Sequence, residues 1–133
     1  MHHLHQFGHH LGLAFQLIDD LLGIWGDSRV TGKPVRSDLR IRKKTFPVVV
    51  TLGSDSAAGR AFAELYRRAD PLEEADLDTA AMLIEKADGR AQTQAEAYRH
   101  FELALESLQA IDPVPGPATE LAAVARLVTT RDH

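Results

Sequence analysis

The stretch GLAFQLIDDLLGIWGD, residues 12–27, decides how this chain is read. Two adjacent aspartates, Asp19 and Asp20, stand inside an otherwise apolar run, and no Lys or Arg occurs from Leu11 to Ser28. At about 100° per residue, Phe7, Leu11, Ala14, Phe15, Ile18, Leu21, Leu22 and Trp25 share one broad face, and Leu13, Leu17 and Ile24 widen it. The remaining strip holds Gly12, Gln16, Asp19, Asp20, Gly23 and Asp27. A helix apolar almost all round is a buried one, so the strip is expected to line an internal cavity. A buried carboxylate pair without counter-charge is costly, and it is relieved by a raised pKa, a basic neighbour or a metal. The helix supplies no base. The mid-helix position argues against capping, and a salt bridge to another helix is the structural alternative. Mg²⁺ is the better fit, a hard cation that takes carboxylate oxygens and keeps places for water and substrate phosphates.

The next segment carries the complementary charge. Arg29, Lys33, Arg36, Arg40, Arg42, Lys43 and Lys44 face a single acid, Asp38. An acidic metal strip beside a basic loop suits a magnesium-bridged diphosphate. Arg29, Arg40 and Arg42 read as solvated side chains. Base stacking would call for interleaved aromatics, and the segment has only Phe46 at its end, so nucleic acid is not the partner. The formal net charge of −4 agrees.

Composition sets the frame. The 133 residues, 44% of them hydrophobic, suit one domain with a real core. There is no cysteine, which excludes disulfides and thiolate metal sites and fits a reducing cytoplasm. No apolar stretch is long enough to span a bilayer, and the N-terminal MHHLHQFGHH has no signal-peptide layout. His5 and His9 would share a helix face, yet no carboxylate or third histidine is placed to complete a metal set, so these histidines read as surface residues.

Along the chain the pattern is helices with short breaks. A first helix covers Phe7 to about Trp25, and residues 26–38 form a turn-rich loop. TFPVVVTL, 45–52, is ambiguous: its β-branched residues suggest a strand, whereas Thr45 as N-cap with Pro47 in the first turn suits a helix. Residues 55–69 read as helical. Asp70 with Pro71 predicts the start of the next helix, and Asp88-Gly89 its end. A long helix follows over about 90–111 with Tyr98, Phe101, Leu105 and Leu108 inward, then a break at DPVPGP, 112–117, and a last helix over about 118–130 carrying Leu121, Val124 and Val128. The class is all-α, with no internal repeat.

The ordered set GLAFQLIDDLL, GD, TGKPVRSDL and KKTFP resembles the second aspartate-rich region of the trans-isoprenyl diphosphate synthases, also called polyprenyl synthetases. The resemblance implies an all-α helical bundle around a deep cavity. It implies Mg²⁺-dependent condensation of an allylic diphosphate with isopentenyl diphosphate, driven by electrostatic stabilisation of the departing diphosphate. Carried over by position, Asp19 and Asp20 match the first two acids of D-D-x-x-D and would hold magnesium, and Gln16 matches the cavity-facing glutamine. Lys33 and Lys43 would meet diphosphate oxygens, and Asp38 would order the loop.

Two departures stand out. The last acid of D-D-x-x-D is Gly23, with Asp27 two turns after Asp20 as the candidate either to replace it or to bind the metal through water, and Arg36 stands where the family often has glycine. The family's first aspartate motif and its isopentenyl-diphosphate site have no counterpart in these residues. The resemblance therefore implies a partial polyprenyl-synthetase domain, residues 1–133, corresponding to the C-terminal portion of a truncated or split synthase. Such a chain is expected to be inactive alone and to self-associate or to join a complementary synthase chain. The alternative is a non-catalytic partner subunit that modulates a full-length synthase.

Overall fold

The computed structural model describes residues 2–111, and α-helix is the only regular structure among them. The helices are α1 (His2–Trp25), α2 (Ser28–Thr31), α3 (Ser37–Arg40), α4 (Phe46–Leu52), α5 (Ala57–Tyr66), α6 (Glu74–Lys86) and α7 (Gly89–Ile111). The expected all-α class is what the chain adopts. The expected break at 112–117 and the last helix lie outside the described residues.

The described residues form two compact units. One is built from the chain up to Ile18 and from Gln94 onward, the other from Asp19–Thr93. In the first, Ala14, Leu17 and Ile18 of α1 and Ala97, Phe101, Ala104 and Leu105 of α7 are buried. Phe15 meets Phe101 edge-on at 5.7 Å between ring centres, and His10 Nδ1 lies 2.9 Å from His100 Nδ1. Tyr98, expected inward, is 46% exposed, and the buried stripe runs instead through Ala97, Phe101 and Ala104. The small alanines carry the helix contact that the aromatic was expected to make.

The second unit has its own core of Ile24, Leu39, Val48, Phe62, Tyr66, Leu77, Ala80, Ala81 and Ile84. It joins the end of α1 to the packed helices α4, α5 and α6, with α3 laid against α6. The ambiguous run 45–52 is a helix. Pro47 fits its first turn, and Pro47, Val48 and Thr51 turn inward. Thr51 returns its hydroxyl to Pro47 O at 2.7 Å. Ser56 caps α5 by accepting from Gly59 N at 3.0 Å.

Two boundaries differ from expectation. Helix α6 begins at Glu74, not beside Asp70, because Glu73 and Asp76 form a reciprocal capping box that satisfies the first-turn amides. At its far end the left-handed residue is Asp88, φ 64°, while Gly89 opens α7. Glycine is needed there for space: a Cβ would lie 2.6 Å from Ile84 Cγ2 and 2.7 Å from Thr51 Oγ1. Arg90 then stacks over the Trp25 ring at 4.8 Å and pairs with Glu85.

Helix α1 is less completely covered than its composition suggested. Leu4, Leu13 and Phe15 are 37–49% exposed. The apolar arc is wider than the surface buried among the described residues.

Candidate functional site

The aspartate pair divides. Asp20 is 7% exposed and its Oδ2 accepts the Phe46 amide at 3.0 Å. Phe46 is the first residue of α4, and Thr45, at the capping position, makes no side-chain cap bond. Thr45 Oγ1 is instead buried without a hydrogen-bond partner among the described residues. Asp20 therefore does for α4 what a capping residue does, from 26 positions away, and the positive end of that helix offsets part of its charge. Capping was discounted because Asp20 lies mid-helix; the structure corrects this, since the helix it caps is a different one.

Asp19 behaves otherwise. It is exposed, and its carboxylate has no hydrogen bond or ion pair among the described residues. It lines a small cleft with Leu22, Gly23, Thr31 and Lys33. This cleft lies wholly on the Asp19–Thr93 unit. Lys33 is exposed, and its ammonium has no partner among the described residues; its amide donates to Thr31 Oγ1 at 3.1 Å. Lys43 and Lys44 are exposed with unpaired ammonium groups in the same sense.

The missing fifth motif acid has a structural counterpart. A Cβ built on Gly23 would overlap the Asp38 carboxylate, so the loop acid occupies the space beside the helix where a side chain at 23 would begin. Position 23 is one turn beyond Asp19 and Asp20 and on their face. Asp27, the expected replacement, is engaged elsewhere. It caps α2 through Arg29 N at 2.9 Å and pairs with the Arg29 guanidinium at 2.9 Å. Those bonds hold its carboxyl below the usual range and raise Arg29. No three His, Cys, Asp or Glu side chains converge into a metal cage among the described residues. The chain's own donors at the cleft suit a magnesium ion that takes most of its ligands from water and phosphate.

Sequence reasoning missed two holding residues. Tyr66 donates its hydroxyl to Lys43 O at 3.2 Å, and burial together with the Asp38 charge pushes its pKa up, so it stays a donor. Arg42, expected to be solvated, has its Nη2 on Arg68 O at 3.0 Å and on Asp70 O. Tyr66 sits at a core spacing in α5, which hides a polar role, and nothing local marks Arg42. Gln16 is exposed on α1 in the other unit. No helix is long and apolar enough to cross a membrane among the described residues.

A family model described as Polyprenyl synthetase matches residues 1–84. A (2E,6E)-farnesyl diphosphate synthase of Mycobacterium tuberculosis is 43% identical over 128 residues, 94% of this chain and 36% of that protein. A geranylgeranyl diphosphate synthase of the same species is 43% identical over 129 residues, 97% and 36% respectively. Among solved structures, a polyprenyl synthetase from Streptomyces coelicolor A3(2) superposes with a TM-score of 0.84 at 43% identity, covering 95% of this chain and 39% of that one. A geranylgeranyl pyrophosphate synthase from Corynebacterium glutamicum, complexed with isoprenyl diphosphate and magnesium, gives 0.79 at 29% identity, over 95% and 36%. The chain spans little more than a third of the length of the curated relatives it matches.

Proposed function

The chain belongs to the polyprenyl synthetase family, and from that premise we propose that it carries the C-terminal half-site of a trans-prenyltransferase, the part that receives an allylic diphosphate through Mg²⁺. The single observation behind this reading is that Asp19 and Lys33, whose charged groups have no partner among the described residues, line the same cleft. Two opposite charges left apart beside one opening suit a ligand that brings both a cation and an anion. Magnesium, when bound, would draw charge from the departing diphosphate.

The chain's own residues have separate tasks. Asp19 is the carboxylate offered to the metal. Asp20, the second metal candidate, acts mainly by fixing α4. Lys33 and Lys43 neutralise diphosphate oxygens from the two ends of the loop. Gln16 is assigned the substrate-facing role that the resemblance implies. Asp27 reaches a metal only by releasing Arg29, so the reading does not depend on it.

Catalysis is proposed to need what these residues do not contain, namely a second acidic cluster and an isopentenyl-diphosphate site. These would be supplied by further polypeptide, by a second copy or by a complementary synthase chain. Calorimetry with a non-hydrolysable allylic diphosphate tests the reading. Binding is expected with Mg²⁺ and to be much weaker without it, and Asp19→Ala is expected to erase that difference. Equal binding with and without Mg²⁺ overturns the metal bridge, and turnover by the isolated chain overturns the half-site.

A further inference from the structure

The basic loop contains two kinds of cation, and they are treated differently. Lys33, Lys43 and Lys44 leave their ammonium groups unpaired among the described residues, whereas Arg36 and Arg42 are tied down. Arg36 Nη1 donates to Ile24 O at 2.8 Å, and its Nε lies 3.5 Å from Asp78 Oδ1. Arg42 Nη2 donates to Arg68 O at 3.0 Å and to Asp70 O. Both arginines have left-handed backbones, φ 63° and 52°. That region disfavours side chains with a Cβ, and such strain persists only where surrounding contacts hold it. The two strained residues bracket α3, which packs Leu39 into the core with no exposure. At the far end of α3, Arg42 N donates to Leu39 O at 3.1 Å and the next residue, Lys43, donates its amide to Asp38 O at 2.9 Å.

We propose that Arg36 and Arg42 are positioning residues, a pair of latches that hold the segment between Lys33 and Lys43 in its ligand-ready shape before any diphosphate arrives. Arginine suits this task because its planar fork seats on fixed carbonyls, while lysine suits the mobile point charge. Pre-ordering removes a cost that binding would otherwise carry. The inference rests on the diphosphate reading of Lys33 and Lys43.

Glycine separates the latch from the backbone shape, because it adopts the left-handed region freely. The test compares wild type with Arg36→Gly/Arg42→Gly and Arg36→Lys/Arg42→Lys. Amide exchange is read over residues 33–43 and over α5–α6, and calorimetry uses inorganic pyrophosphate with Mg²⁺. In both variants, exchange is expected to quicken in the loop while α5–α6 stays protected and the melting temperature holds. Affinity is expected to fall about tenfold if the competent arrangement drops to about a tenth of the population. Wild-type exchange and affinity in the glycine variant overturn the inference, as does full affinity in the lysine variant, which would make the arginines simple charges. Wild type that binds no pyrophosphate overturns the diphosphate reading, and the exchange comparison still decides the latch.

Discussion

Helices α5 and α6 and the segment from Asp27 to Phe46 lie in one unit and face the same physical demand, that polar groups near a core must find partners. The helices meet it locally. Ser56 caps α5, Glu73 and Asp76 cap α6, and Phe62, Leu77 and Ile84 are fully buried between them. The segment meets it over distance. Arg36 reaches back to Ile24, Arg42 forward to Arg68 and Asp70, and the Phe46 amide finds Asp20 on α1. Three of the four positive-φ residues among those described, Gly32, Arg36 and Arg42, fall within it. Its lysines and the facing Asp19 remain unpaired among the described residues. Stability is thus concentrated where packing is local, and binding capacity where the backbone is held from outside.

The sharpest way to break this contrast is to damage the core alone. Phe62→Ala should cost about 3–5 kcal/mol of stability, read by urea denaturation. Magnesium-diphosphate binding should be lost only in proportion to the unfolded fraction. A folded variant with selectively lost binding would show that the two regions are not separate. The reverse experiment follows. Lys33→Ala or Lys43→Ala should weaken diphosphate binding by about 1.5–3 kcal/mol and leave the denaturation midpoint where it was, since neither ammonium group has a partner to lose among the described residues.

The aspartates place the contrast within two neighbouring residues. Asp20→Ala should cost about 1–2 kcal/mol of stability, as for a lost helix cap, and Asp20→Asn should recover most of it because an amide oxygen can accept from Phe46 N. Asp19→Ala should leave stability alone and remove the magnesium dependence of binding. Equal stability losses at 19 and 20 would erase the distinction.

The smallest effect belongs to the other unit. Partial burial, helped by His100, His9 and Arg99, lowers the pKa of His10 from 6.5. Its neutral form is therefore favoured by the fold. The contribution is fully present above about pH 6.5 and is lost as pH falls through the lower folded value. Melting temperatures should decline modestly on acidification below that point, and His10→Gln should flatten the decline.

Much of this was legible in the sequence. The all-α class and the long first helix rest on local patterns, and local patterns are what a single sequence displays. The run 45–52 stayed open because its β-branched residues suit a strand as well as Pro47 suits the first turn of a helix. The start of α6 was misplaced because Asp70-Pro71 offers a good signal and the Glu73–Asp76 box a better one. Asp20 was not readable as a cap, because its partner is 26 residues away and capping signals are sought nearby. The same holds for the Arg42 latch, whose acceptors are 26 and 28 residues distant, and for Asp38, whose relation to Gly23 exists only once the loop has folded back.

That last relation makes the two positions epistatic. The Cβ of any side chain at 23 and the carboxylate of Asp38 claim the same volume, so a residue larger than glycine there displaces Asp38. A lineage or an engineer moving towards D-D-x-x-D from this background meets a sequence-order problem. Gly23→Asp introduced first evicts Asp38 from its seat, whereas Asp38→Ser introduced first vacates the space that the new side chain needs. The same substitution at 23 should therefore carry one cost in the first background and a smaller one in the second.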